Sequence, residues 1–179
     1  SFLYTGVNFL RMGTTGLAAQ ACGARDGDGV RTSIGQAVIV ALAIAVLLIA
    51  LQQPAGTLAL ALLGPGPEVS EYARLYFDVR IWSAPATLAN YAIVGWFIGL
   101  QNARVPLAIV LVINLTNIVL DLVFVVGLGM KTEGVALASV VAEFTGLAVG
   151  LAFVARELKR WPGSFDRTAL TRIRHYGPF

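Results

Sequence analysis

Asn114, Asn117 and Asp121 stand in Pro106–Leu128, a stretch whose only charged residue is Asp121. Their spacing of i, i+3 and i+7 puts all three on one face of a helix. Amides and a carboxylate offer several oxygen acceptors, a donor set that suits a small hard cation. Burial disfavours the charged form of a carboxyl, so a group of this kind can equally carry a proton. The plainer alternative makes Asn114 and Asn117 interhelical hydrogen-bonding groups, with Asp121 paired to an arginine.

Other polar groups interrupt apolar runs. Arg11 sits about midway along the first run and is the in-chain partner such a carboxylate would take, unless it snorkels to the membrane edge. Glu143 lies in Gly134–Val154 with Ser139 one turn before it. It serves either in transport or as a helix-packing hydrogen bond. Charges within membrane spans are costly, so each is a functional candidate. Gly95 and Gly99 form a small-xxx-small pair that lets helices approach closely.

Enzyme signatures are missing. There is no phosphate-binding G-x-x-x-x-G-K-[ST] and no G-x-S-x-G nucleophile elbow. Cys22 and His175 are the only residues of their types, too far apart in sequence to suggest zinc. No cofactor is expected beyond a coupling ion. Asp26-Gly27-Asp28-Gly29 lacks the later ligands of a calcium loop and reads as a turn. Basic residues gather at the edges of apolar runs without interleaved aromatics, which fits anionic lipid rather than nucleic acid.

The elements that must position these groups are membrane helices. The chain is 57% hydrophobic and 13% charged, with a mean hydropathy of +0.76; soluble domains run nearer ~45–50% and ~25%. A span needs about 20 mostly apolar residues. Five stretches approach this: Ser1 to about Cys22, Ile34–Leu51, Ile81–Leu100, Pro106–Leu128 and Gly134–Val154. The second can continue past Gln52, Gln53 and Pro54 into Thr57–Leu63. None alternates at period two, so these are helices, which satisfy their own backbone groups in lipid. The fold expected is an all-α, polytopic transmembrane bundle.

Pro106 is placed to open the fourth span, and Pro85 to kink the third. Glu68–Arg80 has helical spacing and reads as an amphipathic interfacial lead-in. The breaks Gly23–Ser33, Gly64–Arg80, Gln101–Val105 and Gly129–Glu133 are short, so successive spans run antiparallel. Nine basic residues fall on the side of the first and third breaks and the tail, three on the other. The positive-inside rule makes the first side cytoplasmic, including residues 156–179, with a short surface helix expected near Arg167–Arg174. The chain starts inside an apolar run without Met and stops at Gly177-Pro178-Phe179, so an incomplete product is expected.

Several motifs carry a resemblance. Phe9-Leu10-Arg11-Met12-Gly13-Thr14-Thr15-Gly16-Leu17-Ala18-Ala19-Gln20-Ala21 resembles the second helix of MATE (multidrug and toxic compound extrusion) transporters, closest to the DinF branch. Ser83-Ala84-Pro85-Ala86 and Gly95-Trp96-Phe97-Ile98-Gly99-Leu100-Gln101-Asn102-Ala103-Arg104-Val105-Pro106 resemble that branch's fourth helix and following loop. Asn117-Ile118-Val119-Leu120-Asp121 resembles the fifth-helix motif. The resemblance covers essentially the whole chain.

It implies a twelve-helix protein in two lobes, of which residues 1–155 supply helices two to six of the N-terminal lobe and 156–179 begin the inter-lobe linker. It also implies export of cationic or amphiphilic small molecules across a bacterial inner membrane in exchange for Na+ or H+. Asn117 and Asp121 match the family's ion-coupling pair, and Ser139 falls where the sixth helix carries a hydroxyl. The aspartate of helix one and the C-terminal lobe would be partners from outside this chain. Two other readings stand beside it. A lipid-linked precursor flippase would need a cationic cavity, for which Arg11 and Arg80 are available. An intramembrane enzyme would need Asp121 and Glu143 to act together.

Overall fold

The computed structural model describes residues 2–63 and 67–163. The expected surface helix near Arg167–Arg174 and His175 lie outside these residues. The described residues form α1 (Phe2–Gly23), α2 (Gly27–Leu63), α3 (Pro67–Arg80), α4 (Ala84–Gly99), α5 (Arg104–Asp121) and α6 (Thr132–Leu158). A 3-10 turn, Ile81–Ser83, joins α3 to α4, and a π-helical segment, Leu122–Gly127, extends α5. No strand occurs among the described residues.

Helix boundaries follow local chemistry. The break between α1 and α2 is shorter than Gly23–Ser33, because Asp26 caps α2: its carboxylate accepts from the Gly29 N–H at 3.0 Å. Arg25 takes the left-handed conformation, φ 53°, at the close of α1. Gly27, Asp28 and Gly29 are thus the first turn of a helix rather than a loop. α2 does run on through Gln52, Gln53 and Pro54.

The third expected span is divided. Pro85 lies in the first turn of α4, directly after the 3-10 turn Ile81–Ser83, where its missing N–H costs nothing. α3 packs along α6 and leaves Tyr72, Leu75 and Tyr76 exposed. The Lys131 ammonium stands 5.9 Å from the Tyr72 ring centroid at the start of α6. Arg80, at the other end of α3, reaches Glu143 near the middle of α6.

α4 is the axis of the bundle, with α1, α2, α5 and α6 around it. Ala92, Ile93 and Trp96 on α4 are fully buried, together with Ala18, Val30 and Ile109 from its neighbours. The Trp96 indole N–H donates to the Val30 carbonyl at 3.1 Å and to Ser33 Oγ at 3.2 Å. Gly95 and Gly99 do bring helices together. A Cβ on Gly95 would meet the Arg11 carbonyl oxygen at 2.7 Å, and one on Gly99 the Thr15 carbonyl oxygen at 2.6 Å. The Thr15 hydroxyl crosses this seam to the Gly95 carbonyl at 2.9 Å. On α6 a second seam of small residues, Gly134, Ala138, Ala142, Gly146 and Gly150, is buried at four-residue steps.

The outer surface is apolar. Ile39, Val46 and Leu47 on α2, and Leu111, Leu115, Ile118 and Leu122 along α5, are exposed. Such a surface suits lipid and not water. By length and composition, Gly27–Leu51, Arg104–Gly127 and Thr132–Leu158 are long and apolar enough to cross a membrane. α4 is 16 residues long and lies inside the bundle. The molecule is a helical, multi-pass membrane protein.

Candidate ion-coupling site

α5 and α6 are antiparallel neighbours with a long contact. Their polar residues meet at one level. The Asn117 side-chain NH2 donates to Ser139 Oγ at 3.2 Å. With its NH2 so engaged, the Asn117 carbonyl oxygen is left as an acceptor. Asp121 follows one turn later on α5, and its Oδ1 is buried with no hydrogen-bond partner among the described residues. A buried acceptor without a donor carries a desolvation cost of ~1–3 kcal/mol, which a cation or a proton would remove.

Asp121 is also the last α-helical residue before the π-helical segment. A π turn widens the helix and interrupts the usual i to i−4 pairing, an irregularity often found at functional positions. Among the described residues no group of three His, Cys, Asp or Glu side chains converges. The available ligands are therefore an amide, a hydroxyl and one carboxylate, which are hard oxygens.

The remaining residues on the Asn114 face divide. Asn114 itself is exposed, so it does not join Asn117 and Ser139. Arg11 is not with Asp121 either. It borders a cavity of about 160 Å³ that is also lined by Asn90, Tyr91, Ile113 and Glu143. Glu143 thus belongs to a second polar cluster, one α6 turn beyond Ser139. The Asn90 NH2 donates to the Glu143 carbonyl at 3.0 Å and to its carboxylate at 3.1 Å. Arg80 pairs with the same carboxylate at 3.9 Å, and its guanidinium also donates to Ser83 Oγ. Asn90, 5% exposed, was not singled out by spacing. Its only sequence signal is that an amide occurs in the middle of an uncharged run.

The MatE family model matches residues 1–123. The chain is 41% identical to DNA damage-inducible protein F of Escherichia coli (strain K12), a match covering 93% of the chain and 39% of that protein. It is 30% identical to Protein DETOXIFICATION 43 of Arabidopsis thaliana, over 56% of the chain and 19% of that protein. The chain therefore spans about two fifths or less of these curated relatives. Among solved structures, an inward-facing multidrug resistance MATE family transporter of the MOP superfamily superposes with a TM-score of 0.76 and 24% identity, covering 90% of the chain and 38% of that structure. The lipid II flippase MurJ in an inward closed conformation gives 0.67 and 17% identity, covering 94% and 35%. At these identities the two structures show the fold alone.

Proposed function

This chain belongs to the MatE family, and on that premise we propose that it is part of the N-terminal lobe of a secondary active efflux transporter. In this reading residues 1–155 form the lobe and residues 156–179 begin a cytoplasmic linker to a second lobe. The role is transport rather than catalysis. The substrates are small cationic or amphiphilic molecules, moved across a bacterial inner membrane against Na+ or H+.

The observation that carries the proposal is the Asn117–Ser139 hydrogen bond beside the unpartnered Asp121 Oδ1. Asn117, Asp121 and Ser139 hold the coupling ion. An alkali cation would take the Asp121 carboxylate, the Asn117 carbonyl oxygen and Ser139 Oγ; a proton would sit on Asp121. Either occupant neutralises a carboxylate whose charge is costly inside a membrane. Binding there favours one arrangement of α5 against α6, and release favours another, which is how one ion biases alternating access.

The experiment is gradient-driven efflux in proteoliposomes, with Na+ and pH gradients imposed separately, on the protein containing both lobes. Asp121→Asn is expected to reduce efflux to background under whichever gradient drives the unsubstituted protein. Undiminished efflux in Asp121→Asn would remove the coupling role.

The flippase reading is weaker on the cavity's charge. Arg11 is the cation lining it, and Arg80 is already paired with Glu143. A pyrophosphate head group would meet Glu143 as well as Arg11.

A further inference from the structure

At the end of the bundle where α4 closes, α5 begins and α6 ends there is a second cavity, of about 210 Å³. Its rim is basic. Arg104 is the first residue of α5, Arg156 lies in the last turn of α6, and Arg160 follows just beyond. Arg160 is partly neutralised by Glu157, whose carboxylate is 3.3 Å away. The Arg104 and Arg156 guanidinium groups have no ion pair or hydrogen bond among the described residues.

Two further features distinguish this cavity from a scatter of surface charge. Asn102 borders it, and its side-chain oxygen accepts from the Arg104 N–H at 3.2 Å. That contact fixes the amide's orientation and leaves its NH2 as a neutral donor. The remaining wall is Glu157, whose carboxylate is held by Arg160, and an apolar surface on which Phe97 and Val105 are buried and Phe153 stands beside them.

The cavity also lies at a defined depth. Arg104 opens the apolar segment Arg104–Gly127, and Arg156 nears the close of Thr132–Leu158. Both are therefore at the level where hydrocarbon gives way to head groups. A soluble anion would be served by the arginines alone. A ligand matched to the whole cavity has an anionic, oxygen-rich end and an apolar body.

We propose that this cavity binds an anionic phospholipid. Arg104 and Arg156 take the phosphate oxygens in charge-assisted hydrogen bonds, and the Asn102 NH2 donates a further one. Phe97, Val105 and Phe153 contact the glycerol end of the acyl chains. The proposal rests on the chain lying in a membrane and not on its transporting anything, so it stands or falls separately from the coupling role of Asp121. The same phosphate chemistry could be offered by free phosphate, and the test separates the two.

The full chain is reconstituted in nanodiscs holding equal amounts of phosphatidylglycerol and phosphatidylcholine. Native mass spectrometry then reads the lipid retained. Preferential retention of phosphatidylglycerol is expected. Arg104→Gln with Arg156→Gln should lower it about tenfold or more, since two basic residues at an anionic lipid surface together contribute more than a tenfold change in affinity requires. Arg104→Lys with Arg156→Lys should recover part of it. Arg25→Gln, a change at an exposed arginine outside the cavity, should leave it unchanged. Equal loss in Arg25→Gln would replace the site with diffuse attraction and overturn the proposal. So would unchanged retention in the double glutamine variant, provided each protein elutes as a single folded species. Displacement of the lipid by millimolar inorganic phosphate at constant ionic strength would assign the cavity to a soluble anion and also overturn it.

Discussion

At the scale of single residues, the polar groups divide according to what satisfies them. Glu143 receives a hydrogen bond from Asn90 and a charge from Arg80, so its carboxylate is satisfied by the protein, although Asn90 Oδ1 beside it has no donor among the described residues. The Asp121 carboxylate is the one whose own Oδ1 lacks a donor there. Different outcomes follow from removing each. Asn90→Leu strips Glu143 of a donor and should lower stability by roughly 1–3 kcal/mol, seen as a fall in the thermal midpoint in detergent. Ser139→Ala removes only the acceptor of the Asn117 NH2, and should cost about 0.6 kcal/mol or little more while weakening ion-dependent efflux. A large stability loss with unchanged ion dependence would make Ser139 a packing residue. Asp121 was legible in the sequence because a lone charge in an apolar run is conspicuous. The pairing of Asn90 with Glu143 was not, because 53 positions separate them and helical spacing reports only neighbours on one helix.

Elements are held by small residues more than by large ones. The α1–α4 seam depends on Gly95 and Gly99, where added atoms would collide with backbone that cannot move aside. Gly95→Leu should therefore destabilise by about 1–3 kcal/mol or more, measured as a lowered thermal midpoint and as aggregation on detergent extraction. Gly13→Ala is the control, since a Cβ there meets nothing within 4 Å. Hydropathy located the helices well because membrane spans must be apolar along their length. α3 carries Glu71, Arg74, Asp78 and Arg80 and so reads as interfacial; its packing along α6 has no signature in that pattern. Pro85 stands where the ladder changes, since it cannot donate to the Ile81 carbonyl and the turn before it is 3-10. The π-helical segment after Asp121 has no signature in Leu122–Gly127, which is uniformly apolar except for its glycine.

For the whole molecule, the distribution of charge carries an expectation about sidedness. Placing Arg80 beside Glu143 removes it from the sparsely charged side and leaves Arg74 and Lys131 there. Arg25, Arg104, Arg156, Lys159 and Arg160 gather at the opposite end, the one expected to be cytoplasmic. In a Cys22→Ser background, a cysteine at Arg25 should react with an impermeant maleimide only in inverted vesicles, and one at Lys131 only in intact cells. The reverse pattern would invert the orientation. The apolar composition alone established a polytopic helical chain, whereas the order of packing around α4 depended on contacts between distant segments that no local pattern encodes.

Arg31 on α2 donates to the carbonyl of Leu158 at 2.6 Å and of Trp161 at 2.8 Å, which fastens the second helix to the end of the sixth. Those groups are 127 and 130 residues apart in sequence. At a synthesis rate of about 5–20 residues per second, the first helical hairpin waits roughly 6–26 s for the segment that clasps it. During that interval the α1–α2 pair lacks the carbonyls of Leu158 and Trp161 as acceptors for Arg31. Closure of this clasp therefore waits for α6, so the contact that joins α2 to the end of α6 forms late however early α2 itself is made.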